Sequence, residues 1–286
     1  GDTETLSRPY ELTKKTAMLG VDYRWTNAVV TGVWLGVDDA TLSFAGERNG
    51  AITLADTGRV ASRGTSAAVF ASWSFRQRHS LDLAIGFTDL DYDIQRRAIF
   101  EPVNPMVQNP ALTLVDTDAD ANGQDLWLAA NWTANYSGPV WAVRPFAGVT
   151  WTETEQDAYA EDDRSQSGLA MRNNGLQQTS LAATAGVEAQ RVVSTSVAVL
   201  VPRVRAGYTW EFETDAAAAA GSFLLDSANS EIVVRSREPD RDSLEIGAGI
   251  VAVFPRGWSL FLDARTTLGL LGRDRYAVTL GWRIEL

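Results

Sequence analysis

The feature that most constrains this chain is an alternation of period two that returns along most of its length. From Ala17 the odd positions Ala17, Leu19, Val21, Tyr23 and Trp25 are apolar, with Gly20, Asp22 and Arg24 between them. Successive side chains of a β-strand point to opposite faces, so the spacing predicts strands with one oily and one polar face. The rhythm recurs at 67–75, 81–87, 141–151, 181–189, 198–212, 244–254 and 276–286. Strands are expected at about 13–25, 28–45, 63–76, 79–99, 122–136, 140–156, 176–193, 196–213, 241–254, 258–266 and 275–286.

Alternation alone leaves two architectures open. A soluble sandwich packs its apolar faces against each other, whereas a membrane barrel turns one apolar face to lipid. Three features favour the barrel. The strands have about the ten residues that a tilted strand needs to cross a bilayer. Their connections alternate between very short (Thr26-Asn27, 76–79, 137–139, 194–196, 255–257) and long and polar (40–62, 89–123, 153–176, 214–241). Aromatic residues gather at strand ends: Trp25, Trp73, Trp141, Trp258 and Trp282 beside the short connections, and Trp151, Tyr208 and Trp210 towards the long ones. These eight are expected at the two membrane interfaces, where an indole or phenol straddles the headgroup boundary. The fold class expected is therefore all-β, a transmembrane antiparallel β-barrel of outer-membrane type.

Pro145 and Pro202 fall on the apolar face of two of these strands, and each removes a ladder donor. A bulge or a locally irregular rim is expected to absorb them. The alanine-rich stretch 215–221 reads as a helical turn or a loose outer loop. No linker divides the strand-bearing region, and no repeat with shared side chains is present. The start Gly1-Asp2-Thr3-Glu4 has no basic, then apolar, leader, so the numbering is expected to begin on a mature product.

Composition removes several chemistries. With 36 acidic against 25 basic residues the net charge is −11, which argues against nucleic acid as a partner. The absence of cysteine excludes disulfides, thiolate catalysis and cysteine-ligated metals. The single histidine, His79, falls in a short connection, and neither a Gly-x-Ser-x-Gly elbow nor a phosphate-binding loop is present. No enzymatic activity and no cofactor are expected. Asp118, Asp120, Asn122 and Gly123 match the start of a calcium loop, but its twelfth position is Ala129 instead of a bidentate Glu.

A resemblance enters with the C-terminal third. Val201-Pro-Arg-Val-Arg-Ala-Gly-Tyr-Thr-Trp-Glu-Phe-Glu, Glu238-Pro-Asp-Arg-Asp-Ser, Gly247-Ala-Gly, Phe254-Pro-Arg-Gly-Trp-Ser-Leu-Phe-Leu-Asp and the closing Tyr276-Ala-Val-Thr-Leu-Gly-Trp-Arg-Ile-Glu-Leu resemble the autotransporter β-domain family, the translocators of type V secretion. Leu19-Gly-Val-Asp-Tyr-Arg and Val29-Val-Thr-Gly-Val-Trp-Leu-Gly look like its early hairpin. The resemblance runs from about residue 13 to the end. It implies a twelve-stranded barrel in the outer membrane of a Gram-negative bacterium, crossed by a segment that leads to an exported passenger. Eleven strands are legible, so residues 1–12 are expected to be a degenerate first strand or a lumen or loop segment ahead of a barrel over 13–286.

If the apolar set faces lipid, the lumen receives Asp22, Arg24, Asp82, Arg144, Glu188, Arg203, Arg205, Glu211, Glu245, Asp263, Arg265, Arg283 and Glu285. The mixed signs suit ion pairs across the wall and a polar segment passing through. By resemblance, the alternation Trp282, Ile284 and Leu286 is the signal read by the barrel-assembly machinery, with Leu286 where the family closes on Phe or Trp. The expected function is membrane anchor and conduit for an exported polypeptide, with outer-membrane lipid and lipopolysaccharide, the assembly machinery and a passenger or surface protein as partners. The alternatives are a passengerless structural barrel that anchors a surface assembly and a small diffusion pore.

Overall fold

The computed structural model describes residues 10–49, 52–100, 112–236, 238, 241–255, 257–269 and 275–284. Among them there is no α-helix. Eleven long strands follow one another: β1 (Tyr10–Arg24), β2 (Val29–Asn49), β3 (Ile52–Phe75), β4 (His79–Phe100), β5 (Thr113–Ala134), β6 (Ala142–Gln156), β7 (Leu176–Gln190), β8 (Val199–Glu211), β9 (Asp242–Val253), β10 (Trp258–Gly269) and β11 (Arg275–Ile284). Each pairs antiparallel with the next, in sequence order. All eleven segments legible in the sequence are strands. The first begins at Tyr10, so Tyr10 to Leu12 belong to it and only residues 1–9 of the expected N-terminal segment lie outside the described residues.

Register carries the apolar alternation across the sheet. Val21, Val33, Val69, Ile85, Leu128, Trp151 and Leu181 form one unbroken row over seven strands. Most of these side chains stay exposed, Val21 at 70% and Val69 at 50%. An oily face of this extent far exceeds the few hundred Å² that a soluble monomer leaves in water, and it belongs against hydrocarbon. On the opposite, inner face the side chains crowd together.

The long polar stretches 40–62 and 89–123 are mostly not loops, which corrects the expectation. β2 and β3 run on to Asn49 and from Ile52, and β4 and β5 run to Phe100 and from Thr113. A 22-residue strand is about twice the length needed to cross a bilayer, so these hairpins stand above it. The polarity of the faces reverses there. In the upper part of β4 and β5 the outer face carries Asp89, Asp91, Asp93, Asp116, Asp118 and Asp120, while Leu90, Ile94, Val115, Ala119 and Ala121 are buried on the inner face. A strand whose outer face passes from hydrocarbon to water must exchange oily for charged side chains on that face. The sequence reading took the acidic run for a loop because the change of phase broke its pattern. The part-match to a calcium loop lies in the extended backbone of β5, which cannot wrap around an ion.

The two prolines sit at breaks in the ladder. β5 pairs with β6 down to Thr133 opposite Phe146 and resumes at Tyr136 opposite Val143, leaving Pro145 in the gap. β7 pairs with β8 down to Gln190 opposite Arg203 and resumes at Val193 opposite Leu200, leaving Pro202 in the gap. The missing N–H is thus placed where no partner is required.

Two other long connections build a second sheet. Residues 159–160 and 171–173, between β6 and β7, and 218–223 and 232–235, between β8 and β9, pair antiparallel in the order 232–235, 218–223, 171–173, 159–160. The alanine-rich stretch is therefore largely a strand. Tyr159 packs on Ile94, Ala119 and Ala121, so this sheet, the cap, lies against the inner side of the tall β4–β5 hairpin.

β1 and β11 form the two ends of the sheet order, and no ladder joins them among the described residues. With eleven antiparallel strands the first and last run in the same direction. A wholly antiparallel ring needs one more strand between them.

Candidate functional site: the inner wall

Two rows of the inner face show how the wall is built. Arg203 on β8, Gly249 on β9 and Asp263 on β10 are register neighbours. The Arg203 guanidinium donates to Asp263 Oδ2 at 2.9 Å, over the glycine of the intervening strand. Arg265 Nε donates to the other oxygen of Asp263 at 2.6 Å, so one nearly buried carboxylate holds two guanidiniums. In the adjacent row Arg144, Glu188, Arg205, Gly247 and Arg265 stand side by side. Arg144 pairs with Glu188 at 3.4 Å and Arg205 with Glu245 at 3.2 Å.

Phe146 of β6 belongs to the same sector. Its ring reaches over Gly186 on β7 and Gly207 on β8, and the Arg205 guanidinium lies 4.0 Å from its centroid. The other side of the wall is aromatic. Trp34, Ala68, Gly86 and Trp127 are one register row over β2 to β5, and the two indoles lean together above the small residues with centroids 6.4 Å apart. Sequence reasoning missed Trp34, Trp127 and Phe146. The available signal was an aromatic residue in the polar phase of the alternation, opposite glycine or alanine on its neighbours.

Of the residues expected to face the lumen, the structure therefore joins Arg144, Glu188, Arg203, Arg205, Glu245, Asp263 and Arg265. Glu211 is turned to local work, accepting from Ser180 Oγ and Leu181 N at 2.8 Å each. Asp22 and Arg24 on β1 and Asp82 on β4 share the inner phase but join no ion pair among the described residues. The side chains of Arg283 and Ile284, and all of Glu285 and Leu286, lie outside the described residues.

The aromatic residues expected at the interfaces sit on the outer face or at strand ends. Trp25, Trp73, Trp141, Trp258 and Trp282 are exposed near the short connections, and Tyr208 and Trp210 near the upper end of β8. Trp151 is half-buried within the long apolar row. The Tyr208 hydroxyl donates to Asp242 at 2.8 Å, and Arg241 lies over the Trp210 ring. His79 is stacked between Phe75 and Trp132.

Above the wall, a second polar cluster fixes the cap. Arg96 donates from Nε and Nη2 to the Glu161 carboxylate at 2.8 and 2.6 Å, and from Nη2 to the Leu169 carbonyl at 2.8 Å. Glu161 is buried and also accepts from Met171 N. The hydrogen bond from Arg96 to Glu161 raises the guanidinium's pKa further. Burial pushes the Tyr159 hydroxyl up, with the Glu161 charge adding to it. Desolvation acts upward on Asp163, but donors from Ser167, Gly168 and Ser165 outweigh it and hold the carboxyl below its ordinary value. Arg164 bridges to Asp118 of β5.

A wall of paired strands, oily outside and ionic within, has a matching family. The autotransporter β-domain model matches residues 2–265. The chain belongs to that family. Solved structures agree on the fold of this autotransporter β-domain. The translocator domain of autotransporter NalP from Neisseria meningitidis is 15% identical, with 97% of this chain and 81% of that one covered and a TM-score of 0.64. The transport unit of autotransporter AIDA-I from Escherichia coli is 13% identical, with 97% and 84% covered and a TM-score of 0.60. The β-domain of the Bordetella autotransporter Brka is 19% identical, with 98% and 94% covered and a TM-score of 0.55. No curated protein sequence matches the chain. The autotransporter β-domain is an outer-membrane β-barrel of a Gram-negative bacterium with a translocator and anchor role.

Proposed function

We propose that this barrel holds an exported polypeptide in the outer membrane and that the polypeptide crosses along the inner wall. The observation that carries the reading is the division of the two faces: outward side chains suited to lipid, and an inner belt of paired charges at Arg203, Asp263, Arg265, Arg144, Glu188, Arg205 and Glu245. Because these charges satisfy one another, the wall presents polar groups without binding a passing chain tightly. Asp22, Arg24 and Asp82, which join no ion pair among the described residues, are charges that can meet it. The exposed tryptophans anchor the barrel at the interfaces. The acidic outer face of β4 and β5 meets lipopolysaccharide, and the last strand, through Trp282, is read by the assembly machinery. No chemical step is assigned to the wall.

The strand that closes the ring comes from the polypeptide leading into β1. In the full precursor, amides on the free edge of β1 are then protected from hydrogen exchange, and rapid exchange along that edge sinks the assignment.

The function is tested by expressing the full precursor in a Gram-negative host and treating intact cells with protease. Cleavage of the exported part, with the barrel retained in the outer membrane, is expected. An exported part that stays protected, in cells whose barrel is folded, removes the conduit.

A further inference from the structure

We infer that the β3–β4 turn and the outer face beside it bind one anionic glycerophospholipid of the periplasmic leaflet. Its phosphate sits on Arg76 and Arg78, and an acyl chain lies in an alanine-floored trough that starts at Trp132.

Charge singles out the turn. In a chain of net charge −11, the short connections 25–28, 76–78, 135–141, 191–198 and 254–257 carry Arg76, Arg78, Arg191 and Arg256 and no Asp or Glu. Two of these arginines stand among the three residues that join β3 to β4. Both are exposed, and neither joins an ion pair among the described residues. Arg76 and Gln77 hold left-handed backbone, with φ of 50° and 60°, which glycine or asparagine adopts more readily. Turn geometry alone therefore does not call for arginine there. The short connections of such barrels face the periplasm, so these cations meet the headgroups of the inner leaflet. A guanidinium left without a carboxylate at that depth suits phosphate, which it grips through parallel N–H donors.

The rings beside the turn set its depth. On the outer face Trp73, Phe75, His79 and Trp132 form a continuous stack, with successive centroids 4.8, 5.4 and 5.7 Å apart. The Arg78 guanidinium lies 5.9 Å from the Tyr136 ring centroid. Aromatic side chains of this kind sit at the headgroup boundary, and the turn beyond them reaches the phosphates.

An apolar trough begins at the same tryptophan. Trp132, Ala147, Ala185 and Tyr208 are one register row over β5 to β8, and Ala130 and Ala183 belong to the next row up. The alanines floor a depression of about 520 Å³ that opens on the lipid-facing side. A free phosphate or an acidic periplasmic protein would use the arginines and leave the trough unfilled. Charge and trough meet at the contact of His79 with Trp132. One molecule with an anionic head and a hydrocarbon tail satisfies both.

The test uses the full chain folded in neutral detergent micelles, with a gel shift on heating to verify the barrel and native mass spectrometry to count bound lipid. Phosphatidylglycerol and phosphatidylcholine with the same acyl chains are compared. One phosphatidylglycerol is expected to bind several-fold more tightly than phosphatidylcholine. Arg76→Gln and Arg78→Gln are each expected to weaken it about five-fold, the effect of one cation beside an anionic surface. Arg191→Gln, in another short connection, is expected to leave binding unchanged. Ala147→Leu, which fills the trough, is expected to weaken the long-chain lipid and spare a short-chain one with the same headgroup. Equal binding of the two headgroups, an equal fall with Arg191→Gln, or long-chain binding untouched by Ala147→Leu overturns the inference. So does glycerophosphate that competes as well as the intact lipid, since the turn is then an anion site without a chain.

Discussion

Arg203 and Asp263 are bonded at 2.9 Å across a strand that lies between theirs, and they meet because that strand carries Gly249 in the same row. A Cβ at Gly249 would stand 2.6 Å from Asp263 Oδ2 and 2.9 Å from the Leu262 carbonyl oxygen. Gly249→Val therefore has to separate the pair and shift backbone, at a cost of about 1–3 kcal/mol for an overpacked site. Asp263→Asn leaves two guanidiniums short of a counter-charge and is expected to cost about the same. Thermal unfolding of the detergent-solubilised barrel, followed by tryptophan fluorescence, measures both. If Gly249→Val alone melts like the parent, the glycine is not what lets the bridge form.

The bond between Arg96 and Glu161 fastens a loop without bracing the barrel. Arg96→Met strands a buried carboxylate, at about 2–3 kcal/mol, less than for a fully dry pair because Arg96 is about one-third exposed. The cost falls on residues 157–175, since the strands below retain their ladders. Hydrogen exchange and limited proteolysis are expected to quicken there while the melting temperature of the barrel is unchanged. A fall in that temperature with the loop still protected makes the bridge part of the wall.

Asp163 gives the cap a response to acid. Its folded pKa lies below the ordinary 3.8, held down by donors from Ser165, Ser167 and Gly168 against the upward pull of desolvation. A depressed carboxylate contributes stability that is fully present above the unfolded value and is lost as pH falls through the folded one. The turn 163–168 is thus expected to stay closed from neutral pH to about pH 4 and to loosen below 3.8. Asp163→Asn removes that acid step. Exchange rates of the Gly168 amide across this range decide it, and loosening already at pH 5 to 6 in the parent would falsify the assignment.

The alternation made the lower part of the fold legible because two media, lipid and the crowded interior, impose opposite demands on successive residues. Three kinds of feature escaped it. The upper halves of β3 and β5 were hidden because the oily phase moves from the outer to the inner face near Ser66, opposite Thr88 of β4, and near Gln124, so the pattern reads as broken when only its sign has changed. The ion pairs could be listed but not matched, since Arg203 finds Asp263 only through the register of β8 on β9 and of β9 on β10, which sequence spacing does not give. Trp34 and Trp127 were unreadable as a pair because their approach depends on Ala68 and Gly86, which are remote in sequence and adjacent only in the sheet.

That reversal of faces sets a boundary that substitution can locate. Ile85 is in the apolar row, where hydrocarbon meets the outer face, and Asp91 is six residues further up the same strand and on the same side. An arginine on the lipid face of a barrel costs about 2–4 kcal/mol at the bilayer midplane and about 0–1 near the interface. Ile85→Arg is expected to fall in the first range and Asp91→Arg in the second, with Phe87→Arg between them. Reversible unfolding in lipid vesicles measures the series. The order matters more than any single value: equal costs at 85 and 91, or a larger one at 91, would mean that the outer face meets a single medium along β4, and the oily rows would then need a protein partner instead of a membrane.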